Sequence, residues 1–190
     1  MKRILIASAV ALPLLSFTTS PSLWKLEGSH ATLRFSITHL GINDVEGSFK
    51  TIDATITSES EDLSNATVSF TAEAKSINTG SEMRDGHLQG EDFFDVAKHP
   101  TITFKSTSFT KIGDGKYTVK GNLTMKGVTK PVVLTATARY GDHPMTKKRV
   151  AGVKVIGTID RTQFGVGSGM AAATLGDNVE ITANAEFLQQ

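Results

Sequence analysis

The feature that most constrains this chain is a two-residue alternation of apolar side chains, repeated along most of its length. From Ala31 to His39 the odd positions Ala31, Leu33, Phe35, Ile37 and His39 oppose Thr32, Arg34, Ser36 and Thr38. Successive side chains of an extended strand point to opposite faces, so such a segment buries one face and wets the other. Ala66, Val68, Phe70, Ala72 and Ala74 repeat the pattern, as do Tyr117, Val119, Gly121, Leu123 and Met125. Val132, Leu134, Ala136 and Ala138 follow, then Val153, Val155, Gly157 and Ile159, then Val179, Ile181, Ala183, Ala185 and Phe187.

Turn residues separate these runs. Gly113-Asp114-Gly115 divides Thr101–Lys111 from Lys116–Met125, and Lys126-Gly127 with Pro131 marks the next reversal. Closely spaced strands of this kind favour antiparallel hairpins, and no βαβ alternation calls for a parallel sheet. One strand changes phase: Val45, Gly47 and Phe49 are odd, whereas Ile52, Ala54 and Ile56 are even. A bulge or bend between Phe49 and Ile52 reconciles them. About eight strands with one apolar face suggest a sheet closed on itself, although a two-sheet sandwich gives the same periodicity.

The start of the chain has a different character. Met1, Lys2 and Arg3 precede an apolar run from Ile4 to Leu15, and small residues follow in Ser16, Thr18, Thr19 and Ser20. That order is that of a cleavable signal peptide, placed at 1–20, with a mature domain over 21–190. The run is too short for a comfortable membrane span. Loss of Lys2 and Arg3 lowers the basic residues from 20 to 18 against 19 acidic ones, so the formal charge moves from +1 to −1. No basic block exceeds Lys147-Lys148-Arg149, which argues against a nucleic-acid surface. The chain has no cysteine, which excludes disulfides, thiolate metal sites and thiol catalysis.

One segment does not read as strand: RDGHLQGEDFFD, Arg84 to Asp95. Thr79-Gly80-Ser81-Glu82 before it has the form of a capping box, which predicts a short helix from about Ser81 to Leu88. Gly86 and Gly90 weaken that helix, and Pro100 prevents its continuation. Arg84 and His87 share its face. Phe93 and Phe94, adjacent in sequence, are both buried only if the segment caps an opening or lies between two surfaces.

The same segment carries a resemblance. RDGHLQGEDFFDVAKHPTITFKS (Arg84–Ser106) resembles the signature of the YceI-like family of exported polyisoprenoid-binding proteins. Trp24-Lys25-Leu26, FSITHLG (Phe35–Gly41), VEGSF (Val45–Phe49), SINTG (Ser76–Gly80), GNLTMKGVTKPV (Gly121–Val132) and IDRTQFGVG (Ile159–Gly167) agree in the same order. The match lapses in a variable loop at 139–150. It also departs at Leu26-Glu27-Gly28, where the family more often has Asp, a change that bears on a turn. The resemblance implies an all-β chain: a single antiparallel, eight-stranded, lipocalin-like barrel with a short helical plug and an elongated apolar interior. It implies a long-chain isoprenoid or related amphiphilic ligand of quinone or polyprenyl type, no other cofactor, and a periplasmic location.

In this reading the inward side chains line the cavity. They are Leu33, Phe35, Ile37 and Phe49 from the first strands, then Val68, Phe70, Ile102 and Phe104. Leu123, Met125, Leu134, Val155, Ile159 and Phe164 continue the lining, and Phe93 and Phe94 cover it. Small inward residues, among them Gly121, Ala136, Gly157 and Ala183, are expected to leave space opposite the phenylalanines. His39, Arg84, His87 and Arg161 are the candidates for meeting a polar head at the mouth; arginine suits phosphate geometry. Arg84 and Asp85 read equally as a salt bridge or a backbone brace. Arg161, on an inward phase, needs a partner, and Asp92, Asp95 or a ligand head are the candidates.

No HExxH, no paired HxH and no GxSxG elbow occurs, so neither a metal nor a catalytic serine is assigned. The Gly165–Gly169 run does not join a strand to a helix and reads as a flexible loop rather than a phosphate cradle. The resemblance thus implies a non-catalytic lipid carrier, with contact to a membrane at most peripheral and pairing of two barrels left open. An enzyme using His39 or His87 as base, or an accessory protein with a filled interior, are the rival readings.

Overall fold

The computed structural model describes residues 20–60 and 62–190. The expected signal peptide thus lies, but for Ser20, outside the described residues. From Ser22 onward the described residues form ten strands, one helix and two single turns of 3-10 helix.

β1 (Ser22–His39) closes the structure. It pairs with β10 (Leu175–Gln189) on one side and with β2 (Asn43–Phe49) and β3 (Ile52–Ser58) on the other. β2 and β3 are two halves of one stave: Leu33 faces Phe49, and Ser22 faces Ser58. The break falls at residues 50–51, where the sequence changes phase, and it keeps Phe49 and Ile52 on the inside. β4 (Thr67–Glu73) and β5 (Ile77–Asn78) form a second broken stave, interrupted by a 3-10 turn at Ala74–Ser76. β6 (Thr101–Gly113), β7 (Lys116–Met125), β8 (Val128–Asp142) and β9 (Arg149–Asp160) continue as antiparallel neighbours to β10. The result is a closed antiparallel barrel of eight staves, which leaves no continuous open edge.

Two sequence expectations need correcting here. Pro131 does not mark the reversal; it lies inside β8, opposite Asn122, and the turn is Lys126-Gly127 alone, both with positive φ. The expected loop at 139–150 shrinks to 143–148, because β8 runs on to Asp142 and pairs there with Arg149.

The two ends of the barrel differ. At one end Trp24, Leu63, Phe109, Tyr117, Ala138, Ala151 and Phe187 are all buried and pack as one cluster. Leu63 comes from the loop between β3 and β4 and is fully enclosed, with a left-handed φ of 57°. The Tyr117 hydroxyl donates to the Asp62 carbonyl of that loop and lies 3.2 Å from the Tyr140 hydroxyl. Burial, then the contact with Tyr117, pushes the Tyr140 phenol well above its ordinary range. The other end carries helix α1 (Glu82–Gln89), the segment that follows it, and the loop from Arg161 to Thr174.

Helix α1 begins one residue after the expected Ser81, and its cap is not Thr79. Ser81 is the N-cap and accepts from Arg84 N–H at 3.5 Å. Thr79 is bound instead by the helix itself: its N–H and hydroxyl donate to Asp85 Oδ1 at 2.8 and 2.6 Å. Arg84 reaches back as well, Nε to the Thr79 hydroxyl at 2.8 Å and Nη2 to the Thr79 carbonyl at 2.9 Å. Arg84 and Asp85 are thus a backbone brace on Thr79.

Candidate ligand-binding cavity

The inward faces enclose a cavity of about 420 Å³. Along β7 its wall runs from Val119 to Met125, about 20 Å at 3.3 Å per residue. Inward residues toward the helix end, such as Leu33, Phe35 and Ile37, are only half-buried, because part of each faces this space. Those at the packed end, such as Trp24 and Tyr117, are fully buried and lie outside the cavity lining. The same alternation therefore builds a wall at one end and a solid core at the other.

Every apolar residue expected from the sequence lines this cavity except Phe164. Phe164 ends a 3-10 turn at Arg161–Phe164, so strand phase no longer applies to it; it is buried in the protein core instead. Phe93 and Phe94 both reach the cavity. Phe94 meets Phe49 edge-on with ring centres 5.7 Å apart, and Phe93 packs against His87 at 5.0 Å. Such aromatic pairs are worth about 0.5–1.5 kcal/mol beyond their area.

The small inward residues act differently from expectation. A Cβ on Gly121 would lie 2.4 Å from Cζ of Phe104, and one on Gly157 2.4 Å from a methyl of Leu134. The larger neighbours already occupy these places. They lie flat on the barrel wall, and that posture keeps them out of the middle of the lumen.

Apart from Thr32 in the middle of β1, the polar lining lies at the helix end, where His39, Thr79, Arg84, His87 and Arg161 border the cavity. His39, Arg84 and His87 are exposed there. Arg84 Nη1 has no protein partner among the described residues, in contrast to Nε and Nη2. Arg161 is 3% exposed and its donors are consumed. Nε donates to the Gly176 carbonyl at 2.8 Å, and Nη1 to the carbonyls of Val166 and Gly167 at 2.9 and 2.5 Å. Nη2 donates to the Leu175 carbonyl at 2.8 Å and to Asp177 Oδ1 at 3.2 Å. The partner of Arg161 is thus a cage of carbonyls and Asp177. Neither Asp92 nor Asp95 fills that place, and Asp95 pairs with Lys98 at 3.3 Å. The loop after Phe164 is accordingly pinned over Val166 and Gly167.

The lining residues that sequence reasoning missed include Thr79, Leu88, Val166 and Met170, Thr32, which it had placed on the wet face, and Phe109 at depth. Phe109 is out of phase with Phe104, because the β6–β7 register shifts between Ser106 and Ser108. His39 and His87 gather no carboxylate into a metal-ligating group among the described residues. Glu27, His30 and Glu186 do meet, on the outer surface, where β1 bulges between Glu27 and Thr32. Ser29 and His30 hold the Glu27 carboxyl below its usual range by hydrogen bonds, Ser29 contributing most.

A closed barrel around an apolar, one-mouthed cavity is a lipocalin-like architecture. Within that class the chain belongs to the YceI family, whose YceI-like domain model matches residues 24–187. It is 39% identical over 165 residues to Protein YceI of Salmonella arizonae, a match covering 86% of this chain and 84% of that one. Among solved structures, the Campylobacter jejuni YceI protein superposes with a TM-score of 0.73 at 31% identity, covering 80% of this chain and 90% of that one. Burkholderia cenocepacia BcnA superposes with a TM-score of 0.75 at 22% identity, covering 85% and 98%. A polyisoprenoid binding domain from Saccharophagus degradans, implicated in plant cell wall breakdown, shares the fold with a TM-score of 0.69 at 12% identity, covering 88% and 98%.

Proposed function

We propose that this protein sequesters or carries a long-chain polyisoprenoid or related amphiphile, of quinone or polyprenyl type, in the barrel interior without covalent chemistry. The observation that carries this reading is the cavity itself: about 420 Å³, walled by apolar side chains, with all its charged and histidine side chains at one end. An apolar chain gains about 0.8 kcal/mol per buried methylene, so one prenyl unit contributes roughly 3 to 4 kcal/mol. Ordering a flexible chain offsets part of that gain. Affinity then rests on the tail, and Arg84, His87 and His39 are placed to meet the head. The related Saccharophagus degradans domain, described as polyisoprenoid-binding, supports the same ligand class.

The basic and apolar run at 1–15 supports export and a periplasmic site of action. Leu40, Ile42, Met83 and Met170, exposed on the loops and helix at the polar end, support peripheral contact with a bilayer. Native mass spectrometry after mild purification, followed by organic extraction, tests the function. A co-purified lipid of long-chain mass is the expected result. A protein that carries no lipid and cannot be loaded with a prenyl alcohol or quinone overturns the reading.

A further inference from the structure

We infer that Phe109 is the floor that fixes the longest chain the cavity accepts, an inference that rests on the lipid-binding reading above. The cavity lining stops at one level on several staves. On β7 it includes Val119 but not Tyr117, on β9 Val153 but not Ala151, and on β1 Leu26 but not Trp24. Each excluded residue is the next inward position toward the packed end, and each is at most 1% exposed. That second layer is solid, so a chain entering from the mouth cannot pass it.

Phe109 is the last lining residue of β6. The register shift between Ser106 and Ser108 turns it inward, at a place where unbroken alternation from Phe104 would have presented Ser108. Its ring packs on Tyr117 with centres 4.8 Å apart, and Tyr117 is fixed by its hydroxyl to the Asp62 carbonyl. Leu63 of the same loop belongs to the same buried cluster. Phe109 is therefore an aromatic stop backed by an immobile layer. A site so supported collapses only in part when a side chain is shortened, so deleting this ring opens room for about one five-carbon prenyl unit.

The test loads the purified full chain with prenyl alcohols of increasing length and reads occupancy by native mass spectrometry. The wild-type protein should show a length above which occupancy falls. Phe109→Ala should move that limit up by about one prenyl unit, and Phe109→Trp should move it down. If Phe109→Ala fails to fold, Phe109→Leu and Phe109→Trp still displace the limit in opposite directions. An unchanged limit in folded variants that still load prenyl alcohols overturns the floor and leaves the binding reading standing. A wild-type protein that loads no prenyl alcohol of any length overturns the binding reading itself, and the floor with it.

Discussion

The ring of Phe35 lies over Gly47, its cross-strand partner, so closely that a Cβ on Gly47 would sit 2.3 Å from Cζ of the ring. Phe104 likewise reaches over Gly121, a diagonal neighbour on the adjoining strand, since its direct partner is Leu123. Both phenylalanines belong to the cavity wall, and a glycine beside each lets the ring lie along the sheet. The hollow interior depends on where these rings rest as much as on which residues face inward.

Replacing Gly47 with Ala should therefore swing Phe35 into the lumen. Overpacking of this kind costs about 1–3 kcal/mol, and the displaced ring should also weaken loading of a prenyl chain. Gly121→Ala should be the more damaging of the two, since its Cβ would also lie 2.5 Å from the backbone carbonyl of Lys105, which cannot swing away. Urea unfolding paired with a loading assay checks both variants. A Gly121→Ala protein as stable as wild type would show that the wall yields more than its geometry allows.

Phe104→Glu places a carboxylate in an apolar wall, where it must either remain protonated or draw water into the cavity. A folded Phe104→Glu protein should lose about tenfold or more in affinity for a prenyl alcohol. Lys147→Glu, on the exposed loop at the opposite end, should leave loading unchanged. Equal losses from the two would point to general electrostatics in place of an apolar tunnel.

Arg161 ties together the loop that borders the mouth. Arg161→Met removes the donors to four well-placed carbonyls and leaves them to find other partners. Breaking a buried charged network of this kind costs about 3–5 kcal/mol, which lowers Tm by about 10 °C for a domain of this size. Calorimetry measures the loss, and limited proteolysis between residues 165 and 176 should show the loop released. Arg161→Lys should recover little, because an ammonium cannot span the same carbonyls.

The packed end carries a pH signature. Lys111 donates to Asp62 at 2.8 Å, and that bond, with a smaller contribution from Ser64, holds the Asp62 carboxyl at about 2 against an ordinary 3.8. A depressed carboxyl stabilises the fold fully above its ordinary pKa and loses that effect as pH falls through the depressed one. Lys111→Met should thus lower Tm near neutral pH, modestly because both side chains are 42% exposed, by about 2 °C. The difference from wild type should shrink between pH 3.8 and pH 2. A gap that stays constant down to pH 2 would assign the effect to packing of the Lys111 stem.

Local sequence decided which face each strand buries, where β2 gives way to β3, and that a short helix follows Thr79. These are properties of a few consecutive residues: a period of two, a change of phase, a cap. It placed Leu33, Phe35, Phe104 and Val155 on the cavity wall for the same reason. Tertiary structure decided the rest. Closure depends on β1 meeting β10 at the far end of the chain, and the floor depends on Leu63, a loop residue with no periodicity to betray it. Alternation could not separate Phe109, displaced by a bulge, from a solvent-facing residue, nor remove Phe164 from the wall once the chain had left its strand. The partners of Arg161 are carbonyls, which every residue has and no sequence marks. Period two fixes the direction of a side chain, whereas a void, a floor or a cage is set by what stands opposite, and the residues that stand opposite come from distant parts of the chain.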